Sequence, residues 1–275
     1  MVQRLFALLS FLLCVAIIFV GSAHLRATIQ SMEEKAAETD ETGTQEAGNG
    51  NGDGSAETGE SNPFNLLPEQ LELYTETMPE HLKDRFLQAY EQGEPLDIVF
   101  AGSPALGSSA DGWSVQVKKA LEDRFGSDFV HVEIVEFDGT STAFVEEGKA
   151  EEIAEKKPDI VLFEALTLED NGLVTIDDSL KNIRTFAEAL AEENPDALFL
   201  LQPPNPIYNA KYYPVQVEEL RKFAKAQKYE LLDHWKAWPD PNSEAILDYL
   251  DDGGLPNEKG HELWAKFIKE YFGLK

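Results

Sequence analysis

One serine in this chain stands where a nucleophile could work. Ser103 closes the apolar run Asp97-Ile-Val-Phe-Ala-Gly-Ser103-Pro-Ala-Leu-Gly107, which reads as a strand ending in a small-residue turn. A strand-to-helix turn exposes a hydroxyl and brings backbone N–H groups near it. A serine hydroxyl is a poor nucleophile until a base takes its proton and donors stabilise the oxyanion that forms. The plainer reading is a turn serine between a glycine and a proline. Among the 5 histidines, His234 is the candidate base, because it follows the last apolar run, beside Trp235. The plainer reading of His234 is a packed or surface histidine. His24 lies by the N-terminal apolar run, and His81 and His131 lie away from the strand ends.

Other chemistries find little support. Gly102 and Gly107 do not form a G-x-G-x-x-G cradle, and no P-loop lysine follows them. No two histidines sit at helical spacing and the acids are dispersed, so neither a metal nor a cofactor is expected. The single cysteine, Cys14, rules out an internal disulfide and a cysteine-based zinc site. A net charge of -28 opposes nucleic acid, whose phosphates need a basic face. Tyr208, Tyr212, Tyr213, Trp235 and Trp238 fall close together in sequence; they could stack on a sugar or simply pack.

Short apolar runs alternate with amphipathic stretches beyond Pro95. Strands are predicted at 97–101, 130–137, 159–163, 197–202 and 230–233. Helices are predicted around 112–125, 143–155, 179–193, 214–226 and 257–272. Residues 63–92 carry helical spacing of Leu71, Tyr74, Met78, Leu82, Phe86 and Tyr90. Alternation of this kind implies βαβ crossovers, hence a three-layer α/β/α domain with a five-stranded parallel sheet. Ligands on such sheets bind at the carboxyl ends of the strands, which is where Ser103 and His234 fall.

The ordered landmarks resemble the SGNH/GDSL hydrolases over about 97–272. Ser103 matches the serine of the family's Gly-Asp-Ser-Leu-Thr-x-Gly block and Gly107 its last glycine, with Ala101-Gly102 in place of Gly-Asp. Asp138-Gly139-Thr-Ser-Thr142 resembles the second block, which makes Gly139 the implied oxyanion donor. The third block, Gly-x-Asn-Asp, is degenerate: Glu164-Ala-Leu-Thr167 follows the strand, and Asn171 could supply the amide through an insertion. Asp252-Gly-Gly-Leu255-Pro-Asn-Glu-Lys-Gly-His261 resembles the closing Asp-x-x-His-Pro-Asn block and its trailing Gly-His. Leu255 stands where that block has its general base. Asp252 matches the aspartate that orients the base, or else serves as a turn or capping acid. His261 matches a noncatalytic position of the family, implying a structural role.

The N-terminus adds a location. Leu5 to Ala23 is an apolar run of about 19 residues, long enough to span a bilayer. A retained membrane anchor with the C-terminal domain outside the cytoplasm is expected. The alternative is a signal peptide cleaved near Gly21-Ser-Ala23 and a secreted product. Residues 30–62 are acidic, rich in glycine and free of aromatics, as in a disordered linker. The expected division is an anchor over 1–29, a linker over 30–62, a helical lead-in over 63–94 and the hydrolase-like domain over 95–275. Two functions follow. The first is an esterase or O-acyl transferase acting on a small-molecule ester or an acylated envelope glycan. The second is a degenerate domain on the same fold that binds envelope polymer or a protein without turnover.

Overall fold

The structure is a computed structural model that describes residues 63–109 and 111–274. The anchor and linker expected at the N-terminus lie outside the described residues. Among the described residues no helix is long and apolar enough to cross a membrane.

Two helices lead in: α1 (Pro68–Thr75) and α2 (Glu80–Gln92). Strand β1 (Leu96–Gly102) follows, and a short 3₁₀ turn (Pro104–Leu106) leads to α3 (Trp113–Phe125). Next come β2 (Val130–Glu136), α4 (Ser141–Glu146), α5 (Lys149–Ala154) and β3 (Ile160–Glu164). The chain continues through α6 (Ile176–Glu193), β4 (Leu198–Gln202), α7 (Tyr213–Gln227) and β5 (Glu230–Leu231). Two 3₁₀ stretches, His234–Ala237 and Glu244–Tyr249, precede α8 (Glu258–Tyr271).

The five strands form one parallel sheet in the order β2-β1-β3-β4-β5. Ile98, Phe100, Ile160, Leu162 and Leu200 face a core completed by Leu82 and Phe86 of α2, Val117 of α3 and Trp264 of α8. Val99, Ala101, Val161, Phe163 and Leu201 face the opposite core with Phe144, Ile153, Phe186 and Leu220. Side chains alternate across a strand, so Glu164 continues the Ile160, Leu162 row and Gln202 the Leu200 row. Both polar residues therefore end otherwise apolar rows at the carboxyl edge. Two elements differ from expectation. The helix expected over 143–155 is divided by Gly148, whose φ of +73° is a left-handed conformation that a helix cannot continue through. The last strand stops at Leu231, because His234 already turns into a 3₁₀ stretch.

Candidate active site

Ser103 follows β1 directly and caps the 3₁₀ turn, its Oγ accepting from the Ala105 N–H at 3.2 Å. The same Oγ donates to the Glu164 carboxyl, 3.0 Å from each oxygen. The Ser103 N–H donates to Glu164 Oε2 at 3.0 Å. Glu164 is the last residue of β3 and wholly buried, while Ser103 is 2% exposed. Gly102 makes room for this pair: a Cβ there would lie 2.6 Å from Glu164 Cβ and 2.7 Å from its Oε2. Burial pushes the Glu164 carboxyl up to about 8, and the negative charges of Glu169 and Glu136 push the same way, against the two hydrogen bonds from Ser103.

His234 lies elsewhere in the network. Its Nε2–H donates to the Pro203 carbonyl at 2.8 Å, and its Nδ1 accepts from Trp238 Nε1 at 2.9 Å. The ring is fully buried and stacks on Trp264, centroids 4.0 Å apart at 13°. Burial lowers its pKa to about 3, so it is neutral with both nitrogens engaged. The expected Ser103–His234 partnership is thus replaced by a packing role. Among the described residues no histidine hydrogen-bonds Ser103.

The remaining expected residues spread along the edge. Asp252 is exposed, and the organiser of its turn is Asp251, whose Oδ1 accepts from the N–H groups of Gly253 and Leu255 at 2.8 and 2.9 Å. Leu255 packs against the core on the α8 side. Gly139 sits under the Phe137 ring, where a Cβ would lie 2.7 Å from the ring edge. Asn171 is exposed, its N–H bonded back to the Leu168 carbonyl. Its buried neighbour Asp170 is tied to α4: Oδ1 accepts from the Ser141 N–H and Oδ2 from the Ser141 hydroxyl, each at 2.7 Å. Of the aromatic group, Tyr213 and Trp238 are buried, whereas Tyr208 and Tyr212 are exposed on the loop after β4.

His261 joins the two ends of the motif set. Its Nδ1 accepts from the Trp113 N–H at 3.2 Å, at the start of α3. A Cβ on Gly107 would meet its ring at 2.8 Å, so Gly107 is fitted both to a φ of +71° and to this imidazole. Burial lowers the His261 pKa. The expected structural role therefore has a concrete form.

Sequence reasoning passed over the carboxyl-edge polar set of Glu164, Gln202 and Asn205, all fully buried. Gln202 Oε1 accepts from Trp264 Nε1 at 2.9 Å, and the Asn205 amide donates to the Gly254 carbonyl at 2.9 Å, pinning the Asp251 turn. The available signal was a polar residue ending a buried apolar strand, at Glu164 and again at Gln202.

No family model matches the chain, and no curated protein is similar to it. Solved structures are similar in fold. A protein described as a GDSL-like lipase from Parabacteroides merdae ATCC 43184 superposes with a TM-score of 0.56 at 14% identity, over 66% of this chain and 98% of the other. The acetyl xylan esterase AlAXEase gives 0.51 at 14% identity, over 62% and 96%. A catalytic mutant of the acetylxylan esterase Axe2 from Geobacillus stearothermophilus gives 0.52 at 14% identity, over 65% and 94%. With its 2-1-3-4-5 sheet and a serine directly after the first strand, the described domain has the fold of the GDSL-like hydrolases.

Proposed function

We propose that the chain is a membrane-anchored, extracytoplasmic serine esterase that removes acyl groups from cell-envelope glycans. One observation carries the reading: the Ser103 hydroxyl lies at the carboxyl end of β1 and donates to a carboxyl group, Glu164, that could take its proton. The ligand edge of a doubly wound sheet is where such chemistry belongs. Ser103 Oγ would attack the ester carbonyl, expel the sugar alkoxide and leave an acyl-enzyme for water to cleave. The esterases among the similar folds favour an acylated glycan, and the exposed Tyr208 and Tyr212 offer ring faces on the same edge. The apolar run from Leu5 to Ala23 favours the membrane location.

A second reading, a binding domain without turnover, is favoured by Leu255 in the base position and by the 2% exposure of Ser103. Hydrolysis of p-nitrophenyl acetate and release of acetate from acetylated xylan separate the two. Turnover by the full chain that disappears in Ser103→Ala supports the esterase. Turnover at the uncatalysed rate, or equal in Ser103→Ala, retires it in favour of the binding domain.

A further inference from the structure

We infer that Glu164 is the general base for Ser103, in the place of a histidine. The inference rests on the serine-esterase reading and names the group that would make it work. The geometry is that of a dyad. Glu164 receives the Ser103 Oγ–H at 3.0 Å and the Ser103 backbone N–H at 3.0 Å, so main chain and hydroxyl of the serine are both tied to the carboxyl. Gly102, with no Cβ, lets the carboxyl lie against the strand end. The Ala105 N–H also donates to Oγ at 3.2 Å, leaving a donor on the oxygen once its proton is gone. Among the described residues no histidine competes, since His234 is engaged at both nitrogens and His261 is bound to the start of α3.

The step balances without a further reactant. The Oγ–H proton passes to the Glu164 carboxylate as Oγ bonds to the carbonyl carbon and the carbonyl electron pair moves to oxygen. Collapse of that intermediate breaks the bond to the leaving alkoxide, which takes the proton back from the Glu164 carboxyl. Water then repeats the sequence on the acyl-enzyme, again giving its proton to Glu164.

A carboxyl base must be ionised, and the surroundings decide when. The groups facing Glu164 are Ser103 after β1, Glu136 at the end of β2, Glu169 after β3 and Tyr213 at the start of α7. Burial and the two acids hold the proton on Glu164 up to about 8. Activity should therefore appear on the alkaline side, where a histidine of ordinary pKa near 6.5 would already be saturated. A general base contributes on the order of 10² to 10⁴ in rate.

The experiment is a pH profile of p-nitrophenyl acetate hydrolysis by the full chain, corrected for the uncatalysed rate, beside Glu164→Gln, Glu164→Asp and Ser103→Ala. The expected kcat/KM of the wild type climbs about tenfold per pH unit to a plateau above about pH 8. Glu164→Gln should lose at least about a hundredfold in kcat with KM little changed, and its profile should be flat. Glu164→Asp, which keeps a carboxyl but draws it back, should recover part of the rate and keep a sloped profile. Labelling of the wild type by a small fluorophosphonate should map to Ser103 and follow the same pH dependence. A Glu164→Gln enzyme with wild-type rate and profile overturns the inference, as does a wild-type midpoint near 6.5. In those cases a dead Ser103→Ala still leaves the esterase standing. Turnover unaffected by Ser103→Ala removes the esterase and the base together.

Discussion

Replacing Glu164 by glutamine tests the electrostatics of this pair independently of catalysis. Glutamine has the shape of the protonated carboxyl: its carbonyl can accept the Ser103 N–H and its amide can donate to Ser103 Oγ. The wild-type carboxyl is raised from 4.5 to about 8 because the buried site resists its charge. A group whose folded pKa is raised contributes stability that is fully present below its unfolded value. That stability is lost as pH climbs through the folded value. The loss thus runs from about pH 4.5 to about pH 8. At about 1.4 kcal/mol for each pH unit of that interval, the ceiling is about 5 kcal/mol. Glu164 is fully buried, so solvent screening does little to reduce it. Urea unfolding of wild type and Glu164→Gln at pH 5 and pH 9 reads this directly. All other titrating groups are shared, and those that do not interact with Glu164 cancel in the difference. The two proteins should be nearly equal at pH 5, and the variant should be more stable at pH 9 by a few kcal/mol. A difference that does not change with pH, or a variant that is weaker at pH 9, would refute the argument. Either would mean that the hydrogen bonds from Ser103 hold the ionised carboxylate at little cost.

Two further outcomes follow from the same edge of the sheet. Gly102→Ala places a methyl carbon 2.6 Å from Glu164 Cβ, so it should destabilise by about 1–3 kcal/mol in urea unfolding; an unchanged midpoint would mean the pair is not packed this way. His234, lowered to about 3, should remain the neutral Nε2–H tautomer throughout pH 5–8 in ¹⁵N NMR. Its contribution to stability is present above its ordinary pKa and is lost as pH falls toward 3. An imidazole that titrates near 6.5 would show that the ring is not locked between Pro203 and Trp238.

The architecture was legible because a parallel sheet covered on both faces leaves long apolar runs. Ile160-Val-Leu-Phe and Leu198-Phe-Leu-Leu carry no alternation to misread, and the strand ends fell within a residue or two of expectation. Helix interruption was harder, since Gly148 ends α4 by adopting a left-handed conformation that a periodicity window averages away. The site was legible only in part. The place of Ser103 at the end of β1 was legible because it is a matter of chain order: strand, then turn. His234 was weighed as a base by the same logic, but which way an imidazole faces depends on what packs beside it. Here Trp238, Trp264 and the Pro203 carbonyl surround it. Glu164 went unrecognised as a partner of Ser103 because a sequence separation of 61 hides a contact made only when β1 and β3 lie side by side.

The closing motif shows why resemblance reached the fold before the chemistry. Asn257 caps α8, its Oδ1 accepting from the Gly260 N–H while its amide donates to the carbonyls of Asp248 and Leu250. Gly260 lies where a Cβ would come 2.3 Å from the Tyr249 carbonyl oxygen, so only glycine fits. His261 holds the start of α3 and packs on Gly107. Asn257, Gly260 and His261 therefore each have a mechanical task that a domain of this fold would need with or without turnover. The position expected to hold the base, Leu255, has a side chain that simply packs on the core. A match carried by caps and close approaches is evidence about how the chain folds. Evidence about reaction must come from groups whose burial is costly and whose fold role is small. A fully buried carboxyl against a serine hydroxyl is such a group, since a neutral residue of the same shape would fill the space without the electrostatic penalty. That cost is the reason to look for function at Ser103 and Glu164 rather than at the residues of the closing motif.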